Sequence, residues 1–149
     1  MHIMLTNDDG IQALGIRTLA RVLSDAGHKV SVCAPDRERS AASHSITLRR
    51  ALTAEKVEFP CAEIEYAADG TPADCARLGL YLISNVDLVI SGINNGSNLG
   101  GACVYSGTVG AAMEAAMSGM PALATSLGAF DQTDYVPAAR VTLKVAEWM

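Results

Sequence analysis

Short apolar runs that stop at a polar turn and give way to residues at helical spacing recur along this chain, and that alternation constrains the fold more than any other feature. Ile3 to Thr6 is halted by Asn7-Asp8-Asp9-Gly10, which reads as a buried strand entering a tight turn. Leu19, Val22, Leu23 and Ala26 then share a helical face, closed by Gly27 where a left-handed C-terminal cap is favoured. Val30 to Ala34 is a second strand, broken by Pro35, and Asp36 to Ser43 after it is too polar to bury and reads as a surface loop. Val86 to Ser91 repeats the pattern, followed by a Gly/Asn-rich loop from Gly92 to Gly101. Ser106-Gly107-Thr108 opens a helix whose Val109, Ala112, Met113, Ala116 and Met117 are expected to form its packed face. Pro121 to Leu127 is a further strand, and Val141, Val145 and Trp148 form a last helical stripe.

Two segments depart from this rhythm. From Ser45 to Tyr66 apolar residues alternate with polar ones (Ile46 and Leu48, Val57 and Phe59, Ile64 and Tyr66), which predicts half-exposed strands or a hairpin. Thr71-Pro72-Ala73-Asp74 is a compact helix start, with threonine to cap, proline at the first position and an acid at the positive end, and the helix is expected to run to about Ile83. The sum is an α/β fold: a Rossmann-like, mostly parallel sheet with helices on both faces in three α/β/α layers. At 149 residues, half of them apolar, one domain spanning 1–149 is expected.

A net charge of -5 and the lack of any Lys/Arg run argue against a nucleic-acid polymer or an anionic membrane as partner. Cys33, Cys61, Cys75 and Cys103 are far apart and form no C-x-x-C, so they read as buried thiols of a reducing compartment. With neither a signal-like N-terminus nor a membrane-length apolar run, a cytoplasmic protein is expected.

In sheets of this kind ligands bind beyond the carboxyl ends of the strands, so the polar turns carry the candidate chemistry. Asp8 and Asp9 are adjacent at one such turn, where they repel each other unless a cation lies between them. Ser40 from the second loop and Asn94 from Ser91-Gly92-Ile93-Asn94 add neutral oxygens, making a hard-cation set that suits Mg²⁺ or Mn²⁺ better than zinc. Ser106, Gly107 and Thr108 lie at a helix N-terminus, where free N–H groups favour an anion, and Asn98 offers amide donors to the same phosphate. Each residue also has a plain structural reading: an aspartate that caps a helix, a turn hydroxyl, a left-handed asparagine, a serine N-cap. His28 reads as a residue of a helix end, and His44, near Ser40, as a residue that shapes the pocket from outside or protonates a leaving group. Asp36 stands where a dinucleotide fold places its ribose-binding acid, but the chain has no G-x-G-x-x-G.

Taken together, Thr6-Asn7-Asp8-Asp9-Gly10-Ile11, Ala34-Pro35-Asp36-Arg37 with Arg39-Ser40, Ser43-His44-Ser45-Ile46-Thr47-Leu48, Gly70-Thr71-Pro72-Ala73-Asp74-Cys75, Ser91-Gly92-Ile93-Asn94 and Tyr105-Ser106-Gly107-Thr108-Val109 resemble the SurE (survival protein E) family in order and spacing. The resemblance implies a divalent-metal-dependent phosphatase of nucleoside 5′- and 3′-monophosphates, with polyphosphate a further substrate of some members. It implies Asp8, Asp9, Ser40 and Asn94 as metal ligands, and Asn98 with Ser106 to Thr108 on the phosphate side. It also implies a homodimer or tetramer, since family chains continue beyond residue 149 into further strands and an exchanged arm. Ser97 and Cys103 depart from the family's usual proline and acid. The expected chemistry is in-line attack by a water activated at the cation, with Asp8 as base. The rival readings are an aspartyl-phosphate at Asp8 and a non-catalytic nucleotide-binding or assembly module.

Overall fold

The computed structural model describes residues 1–128 and 133–149. Six strands form one sheet: β1 (His2–Thr6), β2 (Lys29–Pro35), β3 (Ala54–Lys56), β4 (Ile64–Ala68), β5 (Leu88–Asn94) and β6 (Ala122–Ser126), in the order β3-β4-β2-β1-β5-β6. All pairings are parallel except β3 with β4 at one edge. β1 is central because every one of its residues is buried, with Ile3 and Leu5 beside Val30 and Val32 of β2 and Leu88 and Ile90 of β5. A strand covered on both faces reads as a continuous apolar run, which is what Ile3-Met4-Leu5 supplies.

Alternation of side chains across β1 divides the core in two. Ile3 and Leu5 face Ile16, Leu19 and Leu23 of α1 (Leu14–Asp25), on the side that also holds α5 (Val136–Trp148). Met4, with Cys33 and Val89, faces Cys75 of α2 (Pro72–Leu82) and Ala115 of α4 (Gly107–Met117). The layers are therefore helix, sheet, helix, as the sequence pattern predicts. The chain first builds outward from β1 to β2 and β4, then crosses to β5 on the other side of β1. That reversal leaves the carboxyl ends of β1 and β5 side by side, the place where such sheets bind ligands.

Local signals account for several boundaries. Thr71 and Asp74 form a reciprocal capping box at α2, with proline in the first turn. Asp74 also accepts from the Thr47 N–H at 2.9 Å and the Thr47 hydroxyl at 2.6 Å. Burial pushes its carboxyl up, and these bonds from Thr47 and Thr71 more than offset that, holding it below the usual range. At the far end of α1, Gly27 takes φ +86° and the His28 N–H closes on Leu23 O at 3.1 Å, the C-terminal cap expected.

Five expectations need correction. Ile46 and Leu48 lie in no strand, because the polar backbone there bonds to Asp74 and Thr71 instead of a neighbouring strand; the hairpin is confined to β3 and β4. A four-residue helix, α3 (Ala102–Tyr105), interrupts the polar stretch before α4. α4 buries Thr108, Ala111, Ala112, Glu114 and Ala115 together with Gly107 and Gly110, so of the expected face Ala112 is buried, while Met113 and Met117 are 49% and 75% exposed. α4 lies against α2, β5 and β6, where small side chains permit close approach and large ones are turned outward. Likewise α5 buries Ala139, Thr142 and Ala146 and leaves Val141 and Trp148 exposed, with the Thr142 hydroxyl 2.9 Å from that of Thr125. Among the cysteines, Cys33 and Cys75 are buried free thiols, but Cys61 is exposed and Cys103 half-buried.

This packing of α4 predicts that Met117→Gln changes stability by no more than about 0.5 kcal/mol. Ala115→Leu, forced into the seam beneath the helix, is expected to cost about 1–3 kcal/mol. Urea unfolding midpoints at constant slope check both; the reverse ranking contradicts the assignment of the packed face.

Candidate functional site

The turn after β1 is built to hold its carboxylates in place. The Asn7 side chain, fully buried, donates to Gly10 O at 2.8 Å and closes the turn on itself. The Ile11 N–H donates to Pro35 O at 2.8 Å and the Arg39 N–H to Asp8 O at 2.7 Å, so the loops after β1 and β2 are stitched together at the backbone. Asn94 ends β5 next door. These three carboxyl-terminal bends open onto one cleft of about 540 Å³, lined by Asp8, Asp9, Ser40 and Asn94 together with Glu38, Asn95, Ser97, Asn98, Tyr105 and Ser106. The four oxygen donors expected from the sequence thus share a single cavity.

Asp8 is 7% exposed and lies against the start of α4. The Thr108 hydroxyl donates to its Oδ1 at 2.5 Å. A Cβ on Gly107 would lie 2.9 Å from Asp8 Cβ and 3.1 Å from Oδ2, so only glycine lets helix and carboxylate come this close. Burial raises the Asp8 carboxyl above its ordinary value, and the nearby charge of Glu38 adds to that; the Thr108 hydroxyl and backbone N–H work against it. Asp9 is pushed up to about 6, first by burial, then by the charges of Asp8 and Glu38, against one hydrogen bond from the Asn95 N–H at 3.2 Å. The pair is therefore short of positive charge.

The neutral donors have their own hydrogens committed elsewhere. Asn94 donates its amide N–H to Gly96 O at 2.8 Å, which leaves Oδ1 as an acceptor for a cation. The Ser40 hydroxyl donates to Glu38, which leaves its oxygen lone pairs free. Two carboxylates, one amide oxygen and one hydroxyl are the donor chemistry of a hard divalent cation, and the residues fit one. Among the described residues no cluster of three His, Cys, Asp or Glu side chains gathers in a metal-holding arrangement, so such an ion would draw its remaining ligands from neutral oxygens and solvent.

The residues expected on the phosphate side are divided by the structure. Ser106 lines the cleft and also caps α4, its oxygen accepting from the Val109 N–H at 3.2 Å. Asn98 lines the cleft with one amide N–H given to the Ser126 hydroxyl at 2.9 Å, leaving the other free. Gly107 and Thr108 differ from expectation: Thr108 is fully buried, and the anion beside this helix start is the Asp8 carboxylate. His44 lies outside the cleft, with Nε2 2.7 Å from Glu114 Oε2. Asp36 bonds to Arg37 and Arg39, whose guanidinium groups hold its carboxyl below the usual range. His28 is paired loosely with Glu147 at 3.8 Å.

Sequence reasoning overlooked Glu38 and Tyr135. Glu38 stands two residues before Ser40 in the predicted loop, a signal that was available. Tyr135 comes from the start of α5, near enough to Asp9 that this carboxylate adds to the effect of burial in raising its phenol; nothing in the local sequence places it there. Cys103, where an acid was expected, donates its thiol to Asn98 O at 3.1 Å and so supports the cleft loop from behind.

The sequence profile described as "Survival protein SurE" matches residues 3–149. A "5'-nucleotidase SurE" of Nostoc sp. is 50% identical over 99% of this chain and 57% of its own length. One of the same description from Synechococcus elongatus is 48% identical over 99% of this chain and 58% of its own. The crystal structure of the SurE protein from Aquifex aeolicus superposes with a TM-score of 0.87 at 37% identity, covering 99% of this chain and 59% of that one. The chain thus spans somewhat more than half the length of these relatives.

Asp9, raised when folded from 3.8 to about 6, binds its proton more tightly in the native state, so its ionisation destabilises the metal-free fold progressively as pH rises from about 4 to 6 and fully above that. Asp9→Asn is therefore expected to raise the melting temperature in EDTA at pH 7.5, by roughly 2–4 °C, and to have little effect at pH 4. Scanning calorimetry at the two pH values checks this; an equal effect at both contradicts the account in which ionising the partly buried Asp9 costs stability.

Proposed function

The chain belongs to the survival protein SurE family, and from that membership we propose that it removes phosphate from nucleoside 5′-monophosphates with the help of one divalent cation, Mg²⁺ or Mn²⁺, at Asp8, Asp9, Ser40 and Asn94. The observation that carries this reading is the convergence of those four oxygen donors on one cleft, where the carboxylate pair is held partly buried without a cationic side chain between them. The relatives' name as 5′-nucleotidases supports the substrate class. Action on 3′-monophosphates and polyphosphate is part of the same proposal, as is assembly into a homodimer or tetramer in a cytoplasmic setting.

A bound cation of this kind supplies Lewis-acid polarisation of the phosphoryl group and neutralises its charge. The protein's own contribution is orientation and proton transfer. Thr108 and the start of α4 fix Asp8, so its carboxylate meets the cleft in one rotamer. Asp9, the more accessible of the pair, accepts the proton of the attacking water; this moves the base from Asp8 to its neighbour because Asp8 Oδ1 is already engaged by Thr108. The free amide N–H of Asn98 and the hydroxyl of Ser106 bind equatorial phosphate oxygens as charge develops on them. Tyr105, 69% exposed at the rim, offers an aromatic face to the nucleoside.

Phosphate release from AMP, GMP, 3′-AMP and polyphosphate, with Mn²⁺, Mg²⁺ or EDTA, tests the proposal. Cation-dependent release from the 5′-monophosphates is expected, falling by roughly 10²–10⁴-fold in Asp9→Asn, which removes the proton acceptor, with the fold retained. Near-normal turnover by Asp9→Asn, or stabilisation of the protein by AMP without any phosphate release, contradicts it; the second result identifies a binding module.

A further inference from the structure

Glu114 is a carboxylate for which the proposed chemistry has no use. It stands in the middle of α4 between Gly110, Ala111 and Ala115, with its side chain only 11% exposed, where a charge requires partners. Two are provided: His44 Nε2 lies 2.7 Å from Oε2, and the Arg77 guanidinium of α2 lies 3.8 Å from Oε1. One carboxylate thus ties α4 to α2 and to the loop after β2.

That loop is the one that carries Ser40. Its start is fixed by the bond from the Arg39 N–H to Asp8 O. Its end is fixed on α3, where the Ser43 N–H donates to Tyr105 O at 3.0 Å and the Ser43 hydroxyl to Val104 O at 2.7 Å. The backbone here presses on α4 so closely that a Cβ at Gly110 would lie 2.4 Å from Ser43 O. Between the anchors, Ala41 and Ser43 take φ of +55° and +54°, a left-handed conformation that side chains disfavour. Two such residues within three positions persist only where the surroundings hold them. His44 follows directly and pairs with the buried carboxylate of Glu114.

We propose that the His44–Glu114 pair clamps the loop so that Ser40 stays within reach of the cation held by Asp8, Asp9 and Asn94, which makes both members of the pair positioning residues for metal binding. The inference rests on the reading of Ser40 as a ligand. His44 itself does not line the cleft.

Mn²⁺ affinity, measured by the paramagnetic resonance signal of free Mn²⁺ on folded protein at 25 °C, separates the two statements. Ser40→Ala and His44→Ala are each expected to weaken binding by about 10-fold or more. His44→Gln, which keeps an N–H for Glu114, is expected to recover most of the loss. The Ser40→Ala/His44→Ala double variant is expected to bind no more weakly than Ser40→Ala alone, since a clamp without its ligand has nothing left to position. Should His44→Ala fail to fold, His44→Asn, too short to reach Glu114, takes its place in the series. Wild-type affinity in His44→Ala with loss in Ser40→Ala overturns the clamp and leaves the ligand reading intact. Additive losses in the double variant reveal a general structural role and also overturn it. Wild-type affinity in Ser40→Ala overturns the ligand reading, and the clamp with it.

Discussion

Two adjacent carboxylates at the end of the central strand carry more negative charge than their surroundings solvate, and most of the cleft is arranged around that imbalance. Burial is the first cause that raises Asp8 and Asp9; the charge of Glu38 adds to both, and that of Asp8 makes Asp9 harder still to ionise. The local relief consists of a threonine hydroxyl, three backbone N–H groups and the positive end of α4, all of them neutral or partial charges. Among the described residues, no lysine or arginine lines the cleft. A protein that keeps such a pair partly buried without a cationic side chain loses stability by doing so, which is what a site that recovers the loss on binding a cation is expected to show.

The sheet makes this arrangement possible at low cost in chain. Because β1 sits between β2 and β5 and all three run in one direction, their carboxyl ends bring Asp8, Asp9, the Ser40 loop and Asn94 to one edge without long excursions. Close approach then does the fine positioning. Gly107 admits the Asp8 carboxylate to the start of α4, and Gly110 admits the Ser43 backbone to the next turn of the same helix. α4 therefore touches the site from two sides: it holds one carboxylate with its N-terminus and steadies a loop with its middle.

Much of this was legible in the sequence, for physical reasons that also mark where legibility ends. The strand-turn-helix alternation gave the layers, because a doubly covered strand must be continuously apolar and a turn at its end must be polar. Asp8, Asp9, Ser40 and Asn94 were recognisable because each lies at the carboxyl end of a strand or in the loop that follows one, and the carboxyl edge of a parallel sheet is a predictable place. The faces of α4 and α5 were misjudged, since spacing shows which residues share a face but not how close the neighbouring layer comes. There the tight seam selects alanine, threonine and glycine over Met117 and Trp148. Thr108 was read as facing an external anion because the N-terminus of a helix attracts any negative charge, and a sequence does not say that Asp8, a hundred residues away, already occupies it. Tyr135 and the Glu114–His44 pair escaped for the same reason: both depend on contacts between elements distant in the chain.

The central claim is that four oxygens from three separate bends surround one divalent ion. Crystals soaked in Mn²⁺ and measured at the manganese absorption edge test it directly. The account predicts one strong anomalous peak in the cleft, with carboxylate oxygens of Asp8 and Asp9, Ser40 Oγ and Asn94 Oδ1 each within about 2–2.5 Å of it. A peak held by other residues, or none at Mn²⁺ concentrations that saturate solution binding, contradicts it.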